Sequence, residues 1–237
     1  MLLNKCICGS ERYEELILNG QRLARCECGV VRSMTMETAE QYEQQYFSGA
    51  YHSSSDRHPG CVPYAERYAH DRNVAELRWN RHNSVLNGKI SGVFHALDVG
   101  CANGAFVDAL LGHGIDSWGI DLNVIQRHVR YAEGTVRNLP VYMPDEFQLV
   151  TYHDVLEHII DPGDELVAAW KIITSGGALV VDVPDIADAA GLHHVKPEHL
   201  WYFTADALAD LIEDSGFKVL SLDTPLPGKM VMYAEAR

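Results

Sequence analysis

From His95 onward the chain alternates short apolar runs of strand length with longer stretches whose apolar positions recur at helical spacing. The runs "HALDV", "SWGI", "FQLVTYH", "ALVVDVP", "KVLSLDT" and "KMVMYAEA" predict strands. Between them the pattern predicts four helices: one through Leu110 ended by Gly112, one from Val124, one from Asp164 to Ile173, and one from Ala205 to Ser215 ended by Gly216. Such alternation predicts an α/β domain built on a doubly wound, mostly parallel sheet. No helix separates the last two strands, so they predict a closing hairpin with an antiparallel edge strand.

Two other patterns precede this one. Residues 35–90 carry helical periodicity in "TAEQYEQQYF" and in "YAERYAHDRNVAELRWNRHNSVLN", the latter stopped by Asn87-Gly88, with the polar loop "SGAYHSSSDRHPG" between them. Residues 1–34 hold one short apolar run, Leu16 to Leu18, followed by Asn19-Gly20, the signature of a tight hairpin. The expected organisation is therefore a small hairpin module (1–34), a helical lid (35–90) and an α/β core (91–237).

Charge and composition narrow the function classes. The 33 acidic against 19 basic residues give a formal charge of −14, which works against wrapping a phosphate backbone, so no nucleic-acid partner is expected. No run of eighteen apolar residues offers a membrane span, and the first residues show a cysteine pair where a signal peptide would have its apolar stretch. A cytoplasmic protein, monomer or homodimer, is the expectation. Four of the six cysteines fall in two tight pairs, Cys6-x-Cys8-Gly9 and Cys26-x-Cys28-Gly29, which in a reducing compartment points to metal. Four thiolates suit a tetrahedral structural Zn2+ with no open position; a metal-free cluster of reduced cysteines is the alternative.

The candidate ligand site is "LDVGCANGAF", residues 97–106. At the carboxyl end of the first strand of a doubly wound sheet, a turn without side chains lets a ligand lie against backbone N–H groups and the following helix N-terminus. A dinucleotide turn favours G-x-G-x-x-G, and the third position here is Ala105. Asp121 closes the second strand in "WGIDL", where a carboxylate can accept both ribose hydroxyls. These residues alone leave an NAD(P)-dependent oxidoreductase open, and also a zinc-ribbon adaptor without catalysis.

The spacing of Gly100, Ala102 and Gly104 resembles motif I of class I S-adenosylmethionine (SAM)-dependent methyltransferases. "FQLVTYHDVLEHIIDP" resembles the fourth-strand segment of the UbiG-like and Methyltransferase 23 groups, and "SGGALVVDVPD" and "HLWYFTADALADLIEDSGFKVL" are similar to their fifth-strand and following-helix segments. The resemblance covers residues 91–224 in order. It implies a Rossmann-like fold with a seven-stranded sheet and SAM-dependent methylation of a small-molecule acceptor. It places Asp98, Gly100, Ala102 and Gly104 at the methionine end of SAM, Asp121 and Leu122 at the ribose, Asn138 and Leu139 beside adenine, and His153 at the rim by the methyl group. Ala102 stands where glycine is usual and Asp185 where asparagine is common. Glu157 and His158 are expected to make structural hydrogen bonds. Arg78 and Arg81 are read as an exposed charged face, with pairing to the SAM carboxylate as the alternative.

The cysteine module resembles the N-terminal zinc ribbon of sugar C-methyltransferases, each knuckle being one residue shorter than the usual CxxCG. "EHLWYFT" resembles the HEHLSYFS segment of those enzymes, which implies a general base at His199. Pro197 replaces the segment's first histidine, so O-, N- and C-methylation all remain open. His194 is the next candidate base, followed by His193, His52 and His58.

Overall fold

A computed structural model describes residues 6–34, 41–42, 66–86, 94–124 and 128–237. The expected helix at "TAEQYEQQYF", its following loop, and the stop at Asn87-Gly88 lie outside them, apart from helical residues 41–42.

The strands are β1 (Tyr13–Leu18), β2 (Gln21–Cys26), β3 (Val31–Ser33), β4 (His95–Val99), β5 (Asp116–Asp121), β6 (Tyr131–Glu133), β7 (Phe147–His153), β8 (Ile173–Pro184), β9 (Trp201–Tyr202), β10 (Phe217–Asp223) and β11 (Lys229–Ala236). The helices are α1 (Tyr68–Val85), α2 (Ala105–Gly112), α3 (Pro162–Ile172) and α4 (Ala205–Asp214). Seven strands form one sheet in the order β10-β11-β8-β7-β4-β5-β6, parallel except for β11, which runs antiparallel to both neighbours.

Both faces of this sheet are covered, which accounts for the near-continuous apolar runs. On one face Ala96, Leu149, Val180, Val231 and Tyr233 pack with Trp79 of α1 and Phe106 and Leu110 of α2. On the other, Leu97, Val150, Leu179 and Met232 meet Leu166 and Ala169 of α3 and Leu208 and Ile212 of α4. Successive strand residues divide between the two clusters because side chains alternate across a strand. Local capping fixes the two helices of the second face. Asp161 accepts the Asp164 N–H at 3.0 Å with Pro162 in the first turn, and Thr204 caps α4 through the Ala207 N–H at 3.4 Å.

Two expectations need correction. The antiparallel strand is not at the edge: β11 inserts between β8 and β10, and β10 is the rim. Burial explains the choice, since β11 is buried along most of its length whereas β10 exposes alternate residues, Lys218, Leu220 and Leu222. The helix expected from Val124 is absent among the described residues; 128–130 form a turn leading into β6, whose three residues are too few to show a period. The N-terminal hairpin forms as expected. Its Asn19-Gly20 turn has positive φ at both residues (49° and 76°), as a type I′ turn requires. Beyond it, however, β3 joins β2 and then pairs with β9, giving a second sheet β1-β2-β3-β9 that includes a strand from the core region.

Candidate functional site

The turn after β4 folds back over the end of β5: the N–H groups of Gly100 and Cys101 both donate to the Ile120 carbonyl, at 2.7 and 3.1 Å. Gly100 (φ 73°), Ala102 (φ 48°) and Gly104 (φ 76°) all lie in the left-handed region. Alternation of small residues here is thus a backbone requirement, which Ala102 meets at a cost of roughly 1–2 kcal/mol. The bareness is also used internally. A Cβ on Gly100 would fall 2.3 Å from Val155 Cγ2, and one on Gly104 would fall 2.1 Å from Tyr131 Cζ.

Asp121 turns back onto this loop. Its Oδ2 accepts the Ala102 N–H and its Oδ1 the Asn123 N–H, both at 2.9 Å. These two bonds fix the orientation of the carboxylate at the end of β5. Leu122 beside it is 42% exposed. The 3-10 turn Val136–Asn138 follows, tied in by the Gly134 N–H on the Asp121 carbonyl at 3.0 Å; Asn138 is exposed and Leu139 half-buried against the core.

Beneath the turn, Asp98 is buried at 4% exposure. Its Oδ1 accepts the Thr151 hydroxyl at 2.6 Å and faces His153 Nδ1 at 3.1 Å. His153 Nε2 faces His82 Nε2 at 3.0 Å, and His82 Nδ1 faces the Tyr233 hydroxyl at 3.0 Å. The imidazoles are stacked with centroids 5.3 Å apart, and Phe106 packs edge-on to His153 at 4.5 Å. Burial pushes Asp98 up to about 7, opposed by the Thr151 hydroxyl and the Arg78 charge, and holds both histidines well below the ordinary imidazole value. His153, expected at the rim by the methyl group, has a side chain only 5% exposed, with both ring nitrogens engaged inside. Neither His82 nor Tyr233 was singled out in the sequence, where each reads as an ordinary helix or strand position.

Arg78 is a network member rather than a free surface charge. It pairs with Asp154 at 2.9 Å and Asp182 at 3.3 Å, and Lys229 bridges the same two carboxylates, 3.3 Å from Asp182. Burial pushes Lys229 down to about 7. Arg81 pairs with Asp223 at 3.2 Å.

The segment after β8 carries the other histidines. His199 is buried at 5% exposure, edge-on to His158 with centroids 4.7 Å apart. His199 Nδ1 and both Glu157 carboxylate oxygens are buried without a hydrogen-bond partner among the described residues, and ligand atoms of Glu157, His158 and His199 lie within 4.8 Å of one another. Burial pushes Glu157 up to about 8 and holds His199 well below its ordinary value. His158 makes the structural bond expected of it, to the Glu198 carbonyl at 2.9 Å; Glu157 has none through its side chain. His194 is half-buried at the end of a 3-10 turn (Ala189–His194), its imidazole pulled down by burial and by Lys196, and His193 is exposed. His52 and His58 lie outside the described residues.

At the other end of β9 the cysteines converge: Cys6 and Cys28 Sγ are 3.5 Å apart, as are those of Cys8 and Cys26, and all four lie within 4.8 Å. The knuckles repeat one geometry, Gly9 N–H to Cys6 carbonyl at 2.8 Å and Gly29 N–H to Cys26 carbonyl at 3.1 Å, with both glycines at positive φ. Burial pushes Cys28 up to about 11 and Cys6 higher still, while at Cys26 burial is outweighed by the Cys28 backbone and the neighbouring thiols, which lower it; four thiolates packed this closely call for a compensating cation. This donor set fits zinc.

The strand order, the left-handed turn after the first core strand and the acid closing the second define the Rossmann-like methyltransferase fold. Solved SAM-dependent methyltransferases share it: one from Archaeoglobus fulgidus superposes with a TM-score of 0.55 at 16% identity, covering 69% of this chain and 94% of that one. One from Mesorhizobium loti does so with a TM-score of 0.53 at 16% identity, covering 68% and 97%. The family model described as "Methyltransferase domain" matches residues 67–222, more than half of the chain, and the chain belongs to that family. Among curated relatives, ubiquinone biosynthesis O-methyltransferase of Pseudomonas entomophila is 32% identical over 120 residues, 46% of this chain and 50% of that protein. Its counterpart in Pseudomonas syringae pv. tomato is 29% identical over 154 residues, 60% and 62%. The chain thus spans between half and two thirds of the length of these relatives. No helix among the described residues is long and apolar enough to cross a membrane.

Proposed function

We propose that the chain transfers the methyl group of SAM to a small-molecule acceptor. The observation that carries this reading is the convergence of the Gly100–Gly104 turn, buried Asp98 and backbone-oriented Asp121 at the carboxyl ends of β4 and β5, where an open α/β sheet places its ligand. The family match and the ubiquinone O-methyltransferase relatives support the same chemistry. SAM supplies a methyl on a sulfonium; as the acceptor's lone pair forms the new bond, the carbon–sulfur bond breaks and S-adenosylhomocysteine leaves. The chain's own part is alignment and exclusion of water. Asp98 receives the cationic methionine end, Asp121 takes the ribose hydroxyls with Leu122 beside it, and Asn138 and Leu139 line the adenine side.

A hydroxyl or carbon acceptor must also lose a proton, and His199 and His194 are the candidate bases. Burial keeps both neutral near pH 7, the form that accepts a proton. Neither the nicotinamide oxidoreductase nor the inactive adaptor draws support from the family match or the structural neighbours.

The four cysteines are proposed to hold one structural zinc, and the module's task is to brace the segment that carries these histidines. Asn19 Nδ2 bonds the Leu192 carbonyl at 2.5 Å, Ser33 N–H the Leu200 carbonyl at 2.8 Å, and Gly29 sits against Thr204. The module (1–34), the lid (35–90), a cytoplasmic location and a monomeric or dimeric state remain parts of this proposal. Thermal denaturation with added S-adenosylhomocysteine or NAD+ tests it: a ligand of the native state raises Tm, and only the former is expected to do so. Stabilisation by NAD+ alone would overturn it.

A further inference from the structure

We infer that Tyr233, His82 and His153 form a directional hydrogen-bond chain that holds Asp98 in place as the partner of the SAM ammonium group. The inference rests on the reading that Asp98 serves SAM. It adds three residues from α1, β7 and β11, two of them remote in sequence from the glycine turn.

The direction follows from bonding capacity. An ionised Asp98 only accepts, so His153 Nδ1 must carry its proton toward Oδ1. A neutral imidazole has one N–H, and burial keeps both rings neutral, so His153 Nε2 accepts. The group facing it is His82 Nε2, which therefore donates, leaving His82 Nδ1 to accept from the Tyr233 hydroxyl. Each of the four ring nitrogens is used once. The two histidines consequently hold opposite tautomers, Nδ1–H on His153 and Nε2–H on His82. If Asp98 takes a proton, the whole line can reverse, with Asp98 donating to His153 Nδ1, His153 Nε2–H to His82 and His82 Nδ1–H to Tyr233. The tautomers therefore report the charge of Asp98.

The surroundings favour such coupling. The line lies between the sheet and α1, with Phe106 of α2 packed on His153 and on His82. Charged groups act on it from several sides: Arg78 and Arg81 from α1, Lys229 and Asp182 from β11 and β8, and Asp223 from β10. Thr151 of β7 gives Asp98 its second donor. A bound ammonium adds a cation at Asp98 and favours the ionised arrangement, so affinity should decline as pH falls through the region near 7 where burial sets this carboxyl.

The test is titration calorimetry with S-adenosylhomocysteine, which keeps the ammonium group and lacks the reactive methyl, on wild type, His82→Phe and Asp98→Asn across pH 6 to 8.5. His82→Phe keeps an aromatic ring in the packing and removes the donor to His153. Loss of one intramolecular hydrogen bond predicts affinity about three- to tenfold weaker, with the pH midpoint of the decline moved upward. A role in packing alone would lower Tm and leave that midpoint where it was. Should His82→Phe fail to fold, Tyr233→Phe replaces it, with a smaller shift expected in the same direction. Nitrogen-15 NMR of the wild-type complex should show the two opposite tautomers. Unchanged affinity and midpoint in the folded variant, or like tautomers in the complex, would overturn the inference. Unchanged affinity in Asp98→Asn would instead remove the reading of Asp98 on which it rests.

Discussion

Replacing Gly104 by alanine separates two explanations of the glycine turn, room for a ligand and room for the protein itself. The residue has φ 76°, where an L side chain costs about 1–2 kcal/mol. The new Cβ would also sit 2.1 Å from Tyr131 Cζ and 2.3 Å from its hydroxyl, and that ring is buried and bonded to Asp108 at 2.6 Å, so it cannot simply swing away. Overpacking of this kind costs about 1–3 kcal/mol more, and reduced freedom of the unfolded chain returns about 0.4–1 kcal/mol. The expected loss is roughly 2–4 kcal/mol. Gly114 is the control, since it has nearly the same φ, 78°, and nothing within 4 Å of an added Cβ. Gly114→Ala should lose only about 0.5–1.5 kcal/mol. Urea unfolding of both variants and of Gly104→Ala with Tyr131→Ala measures the difference; removing the ring should recover most of the excess. Equal losses in the two single variants would refute the packing argument, and a Gly104→Ala protein of normal stability that no longer bound SAM would show the space to be reserved for ligand.

Other outcomes follow from the same geometry. Purified protein should contain one zinc per chain, and stripping it should speed hydrogen exchange in residues 189–204 while β4, β7 and β8 stay protected; full protection in zinc-free protein would count against the bracing role. His199→Ala should reduce turnover by roughly a hundredfold or more with SAM affinity unchanged, and turnover within a few-fold of wild type would move the role to His194. Glu157 is raised from an unfolded value near 4.5 to about 8 by burial, so its folded form keeps a proton that the unfolded chain releases. Its contribution is full below about pH 4.5 and fades as pH rises through 8. Glu157→Gln should therefore raise Tm at pH 8.5 and hardly change it at pH 5; the same increment at both values would contradict the assignment.

Much of the core was legible because its strands are covered on both faces and its helices carry ordinary stop signals. "FQLVTYH" and Phe147–His153 coincide, and the helix stopped by Gly112 ends there. What escaped were elements that owe their existence to partners distant in sequence. The three residues of β6 and the two of β9 have no period of their own and become strands only by pairing with β5 and β3. The place of β11 inside the sheet was readable in principle, from the unbroken apolar character of "KMVMYAEA" beside the alternating "KVLSLDT". In the site, Asp121 and the glycine turn were visible because backbone geometry and charge both mark them. His82 and Tyr233 were not, since their importance arises from His82 meeting His153 across 71 positions of chain and Tyr233 across 151. The resemblance marks His153 at the rim, but its bonds to Asp98 and His82 are set by the fold and not by the local sequence.

The central claim, that this turn and this acid bind SAM, is tested most directly by titrating SAM into wild type and Asp121→Ala at equal pH and salt. Asp121 is held by two backbone N–H groups, and a charged acceptor of hydroxyls contributes about 1.5–3 kcal/mol. The expected result is saturable binding by wild type at one site per chain and affinity about tenfold to a hundredfold weaker in the folded variant. No binding by wild type, or equal affinity in the two proteins, would contradict the account.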